Sequence, residues 1–277
     1  MIIILKVMAA GCIISGIVIG LIFLEKYVKG NVPAAEGMVD LELADVPIWV
    51  SDELKEKVRA AATVNVGDVP GEDIVPFVQR NVEHLIAWLD DVKVRAIQNV
   101  LRVEGRWRKP IGILKFGQLE FYVDAEQVVL DFVPLPELPI VEIKGLPPVT
   151  KIPPPGEVWQ REDMAAAVMI LDRLDHMDKT LTPDKPLLSE IDHIDVSNFN
   201  GRQNSRDAHI ILYSKDDSQI IWGAELNKWQ QNLESTDEEK LAKLYGYYKD
   251  YGTLSGRAKF INLRDPRDKI PLPIDQH

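Results

Sequence analysis

Thiols are nearly absent from this chain. Its 277 residues hold one cysteine, Cys12, and that one lies inside an apolar run. Disulfide frameworks, thiolate zinc sites and cysteine nucleophiles are therefore excluded from everything after residue 24. Positive charge is also in short supply. With 32 Lys+Arg against 43 Asp+Glu, the formal net charge is −11. Such a chain is poorly suited to grip a phosphate backbone or to lie flat on anionic lipid. Nucleophile elbows, phosphate loops, dinucleotide fingerprints and the H-E-x-x-H motif are missing, as are internal repeats and low-complexity blocks. No nucleic acid, cofactor or small-molecule substrate is expected, and no enzyme. What is present, 46% apolar and 27% charged residues, suits a folded body rather than a disordered one.

Long apolar runs are missing too, with one exception at residues 7–24. As a helix this run would rise about 27 Å, close to the roughly 30 Å of a bilayer's hydrocarbon core. It is too long for a signal-peptide core and lacks a good cleavage site after it, so it reads as an uncleaved transmembrane anchor. Gly16 and Gly20 have the small-xxx-small spacing that lets a second helix approach. Lys6 before the run and Lys26 and Lys29 after it do not favour a cytoplasmic N-terminus. The expected order is a short tail (1–6), the span (7–24) and a juxtamembrane stalk (25–45) broken by Gly30, Pro33 and Gly37.

The remainder reads as α+β. Residues 46–50, with Trp49, suggest a strand. Ser51 is a good N-cap for a helix bearing Leu54, Val58 and Ala61. A second helix carries Ile74, Val78, Val82, Leu85, Ile86 and Leu89 as one buried stripe, with Pro76 tolerated in its first turn. Val100, Val103, Ile111, Ile113 and Phe116 flank a turn, and residues 119–130 alternate as a hairpin. The prolines between Pro134 and Pro155 predict a surface connection rather than an interior strand. Beyond them a helix is expected over 161–177, strands over 191–196, 209–213 and 219–222, and a helix over 237–251. That last helix has a capping box, Thr236 with Glu239, and a stop at Gly252. A final strand is expected over 259–263, then a tail (266–277).

Two acidic groupings could be mistaken for metal sites. On a strand, Glu190 and Asp192 would share one face and His193 and Asp195 the other, so they would not converge. Asp172 and His176 stand at i, i+4, but the charges around them describe a solvated helix face. Neither grouping is expected to bind metal. Tyr247 and Tyr251 lie off the main stripe of their helix and are expected at a partner surface.

The chain also resembles the bacterial cell-division family FtsQ/DivIB. Phe121-Tyr122-Val123-Asp124-Ala125-Glu126-Gln127-Val128-Val129-Leu130 is similar to that family's tyrosine-bearing hairpin. Leu138-Pro139-Ile140-Val141 and Gly145 follow at the family's spacing. Arg106-Trp107-Arg108-Lys109-Pro110, Ile221-Trp222-Gly223, Lys240-Leu241 and Phe260-Ile261-Asn262-Leu263-Arg264 echo further motifs in the same order. Gln127 and Asn262 replace the usual glycine and aspartate. The resemblance implies a POTRA-like domain (46–116) followed by a mixed β domain (117–265). It also implies an N-terminus in the cytoplasm and a body outside the inner membrane. The body would bind FtsB- and FtsL-like bitopic proteins and help recruit septal wall synthesis enzymes. Lys259, Phe260, Ile261, Asn262 and Leu263 are expected to form an edge strand that a partner completes, with Arg264 also at the partner surface. An envelope adaptor for export or assembly and a membrane-anchored hydrolase are the alternatives.

Overall fold

The structure is a computed structural model that describes residues 40–265, apart from 64–65, 67–68, 70, 72, 99, 149–150 and 257–258. Among the described residues no helix is long and apolar enough to cross a membrane. The longest helix, Glu162–Leu181, carries Asp163, Asp172, Arg173, Asp175, Asp178 and Lys179, charges that a hydrocarbon core would not accept. The α+β class stands, but the membrane-spanning component of the expected fold and the single-pass localisation drawn from it are corrected on this finding. The run at 7–24, with Gly16 and Gly20, lies outside the described residues, as do the tail at 266–277 and Pro33 and Gly37 of the stalk.

The chain divides into two compact units. The first comprises residues up to Asp45 with Lys57–Leu85 and Asp91–Gly105. Its first strand, β1 (Asp40–Leu43), lies in the stretch expected as stalk, where Asp-Leu-Glu-Leu alternates between exposed and half-buried. Residues 46–50 are not a strand; Pro47 interrupts them and Trp49 sits in a turn. Helix α1 (Asp52–Thr63) begins where Ser51 Oγ accepts the Leu54 N–H at 3.3 Å; its residues from Lys57 onward belong to this unit, and those up to Glu56 to the second. Helix α2 (Ile74–Leu85) buries Ile74, Val78 and Val82. It stops sooner than its stripe suggests, because Leu89 opens strand β2 (Leu89–Ile97). Strand β3 (Val100–Trp107) lies between β1 and β2 and runs parallel to β1, with Asp40 opposite Val100 and Leu43 opposite Val103. Val58 and Ala62, Val78 and Val82, and Val92, Val94, Leu101 and Val103 are buried in this unit.

The second unit holds an eight-stranded sheet of order β11-β10-β9-β8-β7-β4-β5-β6. Its strands are β4 (Pro110–Phe116), β5 (Leu119–Asp124), β6 (Val129–Asp131), β7 (Val141–Lys144), β8 (Ile191–Asp195), β9 (Ile210–Ser214), β10 (Gln219–Gly223) and β11 (Phe260–Asn262). The proline-rich stretch is a correction: β7 is interior to the sheet, parallel to both β4 and β8. Its four residues, Val-Glu-Ile-Lys, contain no proline, so the ladder keeps every N–H it needs.

Helix α3 (Glu162–Leu181), the short α4 (Trp229–Asn232) and α5 (Asp237–Tyr251) complete the unit. Met164, Leu171, Leu174, Leu241, Leu244 and Tyr245 join Val141, Ile143, Ile194, Leu212, Ile220, Trp222 and Ile261 in one core cluster. One aspartate ties three elements together. Asp178 of α3 accepts the Leu187 and Leu188 N–H groups, each at 2.9 Å, and the Thr182 hydroxyl at 2.6 Å. The Tyr245 hydroxyl of α5 lies 2.9 Å from Asp178 Oδ1 and 3.0 Å from the Leu174 carbonyl oxygen. Burial, with Asp178 beside it, raises the Tyr245 pKa well above the usual phenol range, so the hydroxyl keeps its donor proton.

Candidate functional site

The ends of the two sheets differ in what covers them. At β6 the row is closed: Val129 N–H donates to Glu157 O at 2.9 Å, and Gly156 N–H donates to Val129 O at 2.8 Å. Trp159 N–H adds a bond to Gln127 O at 2.9 Å. In the smaller sheet, β2 carries Asp91 at φ 50° and exposes Asp91, Lys93 and Arg95, charged side chains of the kind that discourage edge pairing. Strand β1 opens the described residues.

Strand β11 ends the larger sheet on the side opposite β6. It lies parallel to β10, with Phe260 opposite Gln219, Ile261 opposite Ile220 and Asn262 opposite Ile221. Gln219 N–H donates to Lys259 O at 3.0 Å, and Leu263 N–H donates to Ile221 O at 3.0 Å. In a parallel ladder alternate residues address one neighbour. Lys259, Ile261 and Leu263 therefore turn their backbone to β10, and Phe260 and Asn262 turn theirs away. Phe260 is 46% exposed, whereas Ile261 and Leu263 are fully buried. The five residues expected to form the edge strand thus split. Phe260 and Asn262 carry the outward row, Lys259 is exposed, and Ile261 and Leu263 anchor the strand to the core.

A buried ion cluster supports the far end of the strand. Arg264 Nε donates to Glu234 Oε1 at 2.8 Å, and Lys240 Nζ donates to Glu234 Oε2 at 2.7 Å. The same Oε2 accepts the Ala224 N–H at 2.9 Å. Lys240 is 0% exposed, and its ammonium lies 5.4 Å from the Trp222 ring centre, where the ring face favours a cation. Gly223, at φ 95°, passes beside this cluster; a Cβ there would collide with the Glu234 carboxylate and with Arg264 Cγ at 2.6 Å. Ser235 N–H donates to Arg264 O at 2.7 Å, and Asn262 Oδ1 accepts the Arg264 N–H at 3.0 Å. The asparagine amide oxygen can thus make this turn bond as a carboxylate would.

The near end is held by a turn. Asp216, in the loop between β9 and β10, accepts the Gly256 N–H at 2.6 Å and the Ser214 hydroxyl at 2.6 Å. Burial opposes its charge, but these bonds and those from Ser218 hold the Asp216 carboxyl down at about 2. At the turn after β5, side-chain bonds from Arg106 and then Arg108 hold Glu126 at about 2. Both folded pKa values lie below the ordinary carboxyl range of about 4. Their contribution to stability is therefore complete above pH ~4 and is lost as pH falls from there towards ~2. Asp216→Asn should flatten the fall in thermal midpoint between pH 5 and pH 2.5; an unchanged slope would refute the assignment.

Tyr247 requires a correction as a surface anchor. It is 4% exposed and belongs to the core cluster, and Tyr251 packs against that cluster, with the two rings 4.6 Å apart. The buried face of α5 is wider than one stripe: Lys240, Leu244, Tyr247 and Tyr251 form a second row beside Leu241, Tyr245 and Tyr248. A lysine in a row of helical period with apolar residues was the sequence signal for the ion cluster, and composition alone does not raise it.

Among the described residues no group of three or more His, Cys, Asp or Glu could hold a metal ion. His193 Nδ1 lies 2.8 Å from Asp192 Oδ2 and its ring stacks on Tyr213. A bulge between Ile191 and His193 sets that local geometry. His176 Nδ1 lies 2.8 Å from the carbonyl oxygen of Asp172, an ordinary helix-surface contact. No family model matches this chain. A search of the curated proteins returns no match either.

Proposed function

We propose that this chain is a non-catalytic docking scaffold of the cell-division machinery. Its β11 edge takes up an extended segment of a partner as a ninth strand. The partners under this reading are small coiled-coil division proteins similar to FtsB and FtsL, through which septal wall synthesis enzymes are recruited. The observation that carries the docking edge is the orientation of β11, whose Phe260 and Asn262 backbone groups face away from β10. A strand added there gains main-chain hydrogen bonds, and side chains near the added strand supply selectivity. The division assignment rests on the order of motifs in the sequence. The first unit is consistent with it, since a strand, two helices and paired strands is the order expected of a POTRA-like domain.

Asn262→Pro tests the edge. Because the Asn262 N–H points away from β10, proline removes an outward donor while leaving the ladder to β10 intact. The full chain carrying Asn262→Pro, purified by affinity from its native host, should lose the division partners recovered with the unsubstituted chain, while its far-UV spectrum and thermal midpoint stay close to the original. Equal recovery from both chains would overturn the edge assignment. Recovery of export or barrel-assembly proteins in place of division proteins would overturn the cellular role and leave the edge standing.

A further inference from the structure

The connection between β8 and β9 holds the one Asn-Gly pair of the chain, Asn200-Gly201. Both residues stand in the left-handed region, at φ 54° and 68°, which asparagine and glycine accept more readily than other residues. Asn200 is exposed. Its backbone N–H donates to Glu225 Oε1 at 3.3 Å, while among the described residues its side-chain amide meets no hydrogen-bond partner. The neighbouring asparagines are held differently. Asn198 Nδ2 donates to the Asn204 and Ala208 carbonyl oxygens, and its Oδ1 accepts the Gln203 and Asn204 N–H groups, all at 2.9 Å. Asn204 Oδ1 accepts the Arg206 N–H at 3.1 Å, and its Nδ2 donates to Asp207 Oδ2 at 2.8 Å.

We propose that Asn200 is a self-modifying residue, converted by attack of the Gly201 nitrogen on its side-chain carbonyl carbon. The Gly201 amide gives its proton to solvent base and bonds to Asn200 Cγ, and the Cγ–Nδ2 bond breaks with release of ammonia. The resulting five-membered imide takes up one water. Opening at Cγ leaves aspartate; opening at the main-chain carbonyl leaves isoaspartate, with the chain rerouted through the side chain. Glycine suits the attacking position because no Cβ crowds its nitrogen. The Gly201 N–H donates to Asn198 O at 2.8 Å, so this turn bond must open first. Surface loops open at small free-energy cost, and the turn spans only Phe199–Gly201.

The isoaspartate form has a mechanical consequence. It adds a methylene to the main chain between residues 200 and 201, directly ahead of Arg202. The Arg202 guanidinium is a staple: Nε donates to Ser197 O at 2.6 Å, Nη2 to Gly145 O at 2.6 Å, and Nη1 to Asp163 Oδ2 at 3.0 Å. These bonds tie the segments after β7 and β8 to the start of α3. A lengthened link displaces the staple, so conversion is a slow, irreversible loosening of the second unit that needs no enzyme and no partner.

Peptide mapping by mass spectrometry of the full chain, held folded in mildly alkaline buffer, tests the assignment. Fragment masses should place the difference between an amide and an acid on Asn200, as paired aspartate and isoaspartate products, before Asn198 or Asn204 changes. The thermal midpoint should fall as isoaspartate accumulates. Asn200→Gly keeps the left-handed turn and has no side-chain carbonyl, and it should show neither change under the same treatment. Asn200 remaining intact while a synthetic peptide of residues 197–205 converts completely would overturn the proposal, as would earlier conversion at Asn204. A midpoint that falls equally in Asn200→Gly, or stays level at full conversion, would overturn the loss of the Arg202 staple.

Discussion

Glu234→Ala should destabilise the second unit by about 3–5 kcal/mol, the usual cost of leaving a buried charge without its partner. Lys240 has no exposed surface, and its ammonium donates to Glu234 Oε2. Removing the carboxylate strands that ammonium beside the Trp222 ring and also orphans the buried Ala224 N–H. Lys240→Met should cost less, about 1.5 kcal/mol or under, since the stem volume is retained and Glu234 keeps both Arg264 and the Ala224 N–H. The asymmetry is the diagnostic feature. Combining the two substitutions should recover part of the loss caused by Glu234→Ala alone, because the second removes the unpaired charge created by the first. Urea denaturation followed by far-UV circular dichroism measures all three. Losses that simply add would show that the cluster is not a coupled unit. The cluster holds Arg264, the residue just beyond β11, so Glu234→Ala should also accelerate amide exchange at Ile261 and Leu263.

The second large effect is expected at Asp178. Asp178→Ala leaves the buried Leu187 and Leu188 N–H groups without an acceptor, at about 1–3 kcal/mol for each unsatisfied group. The Thr182 and Tyr245 hydroxyls lose a partner as well. A total near 3–5 kcal/mol is expected. Tyr245→Phe, which removes a single donor and leaves the aspartate with its other bonds, should cost about 1 kcal/mol. Hydrogen exchange gives a site-specific check: Leu187 and Leu188 should lose protection in Asp178→Ala and retain it in Tyr245→Phe. Protection retained in both would place the Asp178 contribution elsewhere.

Most local structure was legible before any coordinates. The helix from Asp237 to Tyr251 has the expected bounds because the Thr236–Glu239 box and Gly252 mark both ends. Ser51 marks the start of α1, and the expected hairpin is present as β5 and β6, although Phe121 to Asp124 are all buried rather than alternating. The misreadings have identifiable causes. The stripe of α2 continues on paper through Leu89, but Ile86 is buried from the irregular residue after the helix and Leu89 from β2. An apolar spacing is indifferent to whether the chain is still helical. The density of prolines around β7 hid four residues that contain none. Tyr247 lay off the single stripe because a helix with a broad buried face has more than one.

The sequence alone determined the chemistry that is missing, the acidic balance, the alternation that makes strands, and the caps that start and stop helices. These depend on residues within about a turn or two of one another. Which strand would end the sheet, which of its residues would face outward, and that a lysine would sit on one of its carbonyls were decided by tertiary structure. Those outcomes depend on residues such as Lys243 and Asn262, or Lys240 and Glu234 and Arg264, that meet only after the sheet order is set. A one-residue change of register would exchange the buried Ile261 for the outward Asn262; the local alternation of Ile261, Asn262 and Leu263 favours the observed face, but which strand they pair with is set by the sheet order.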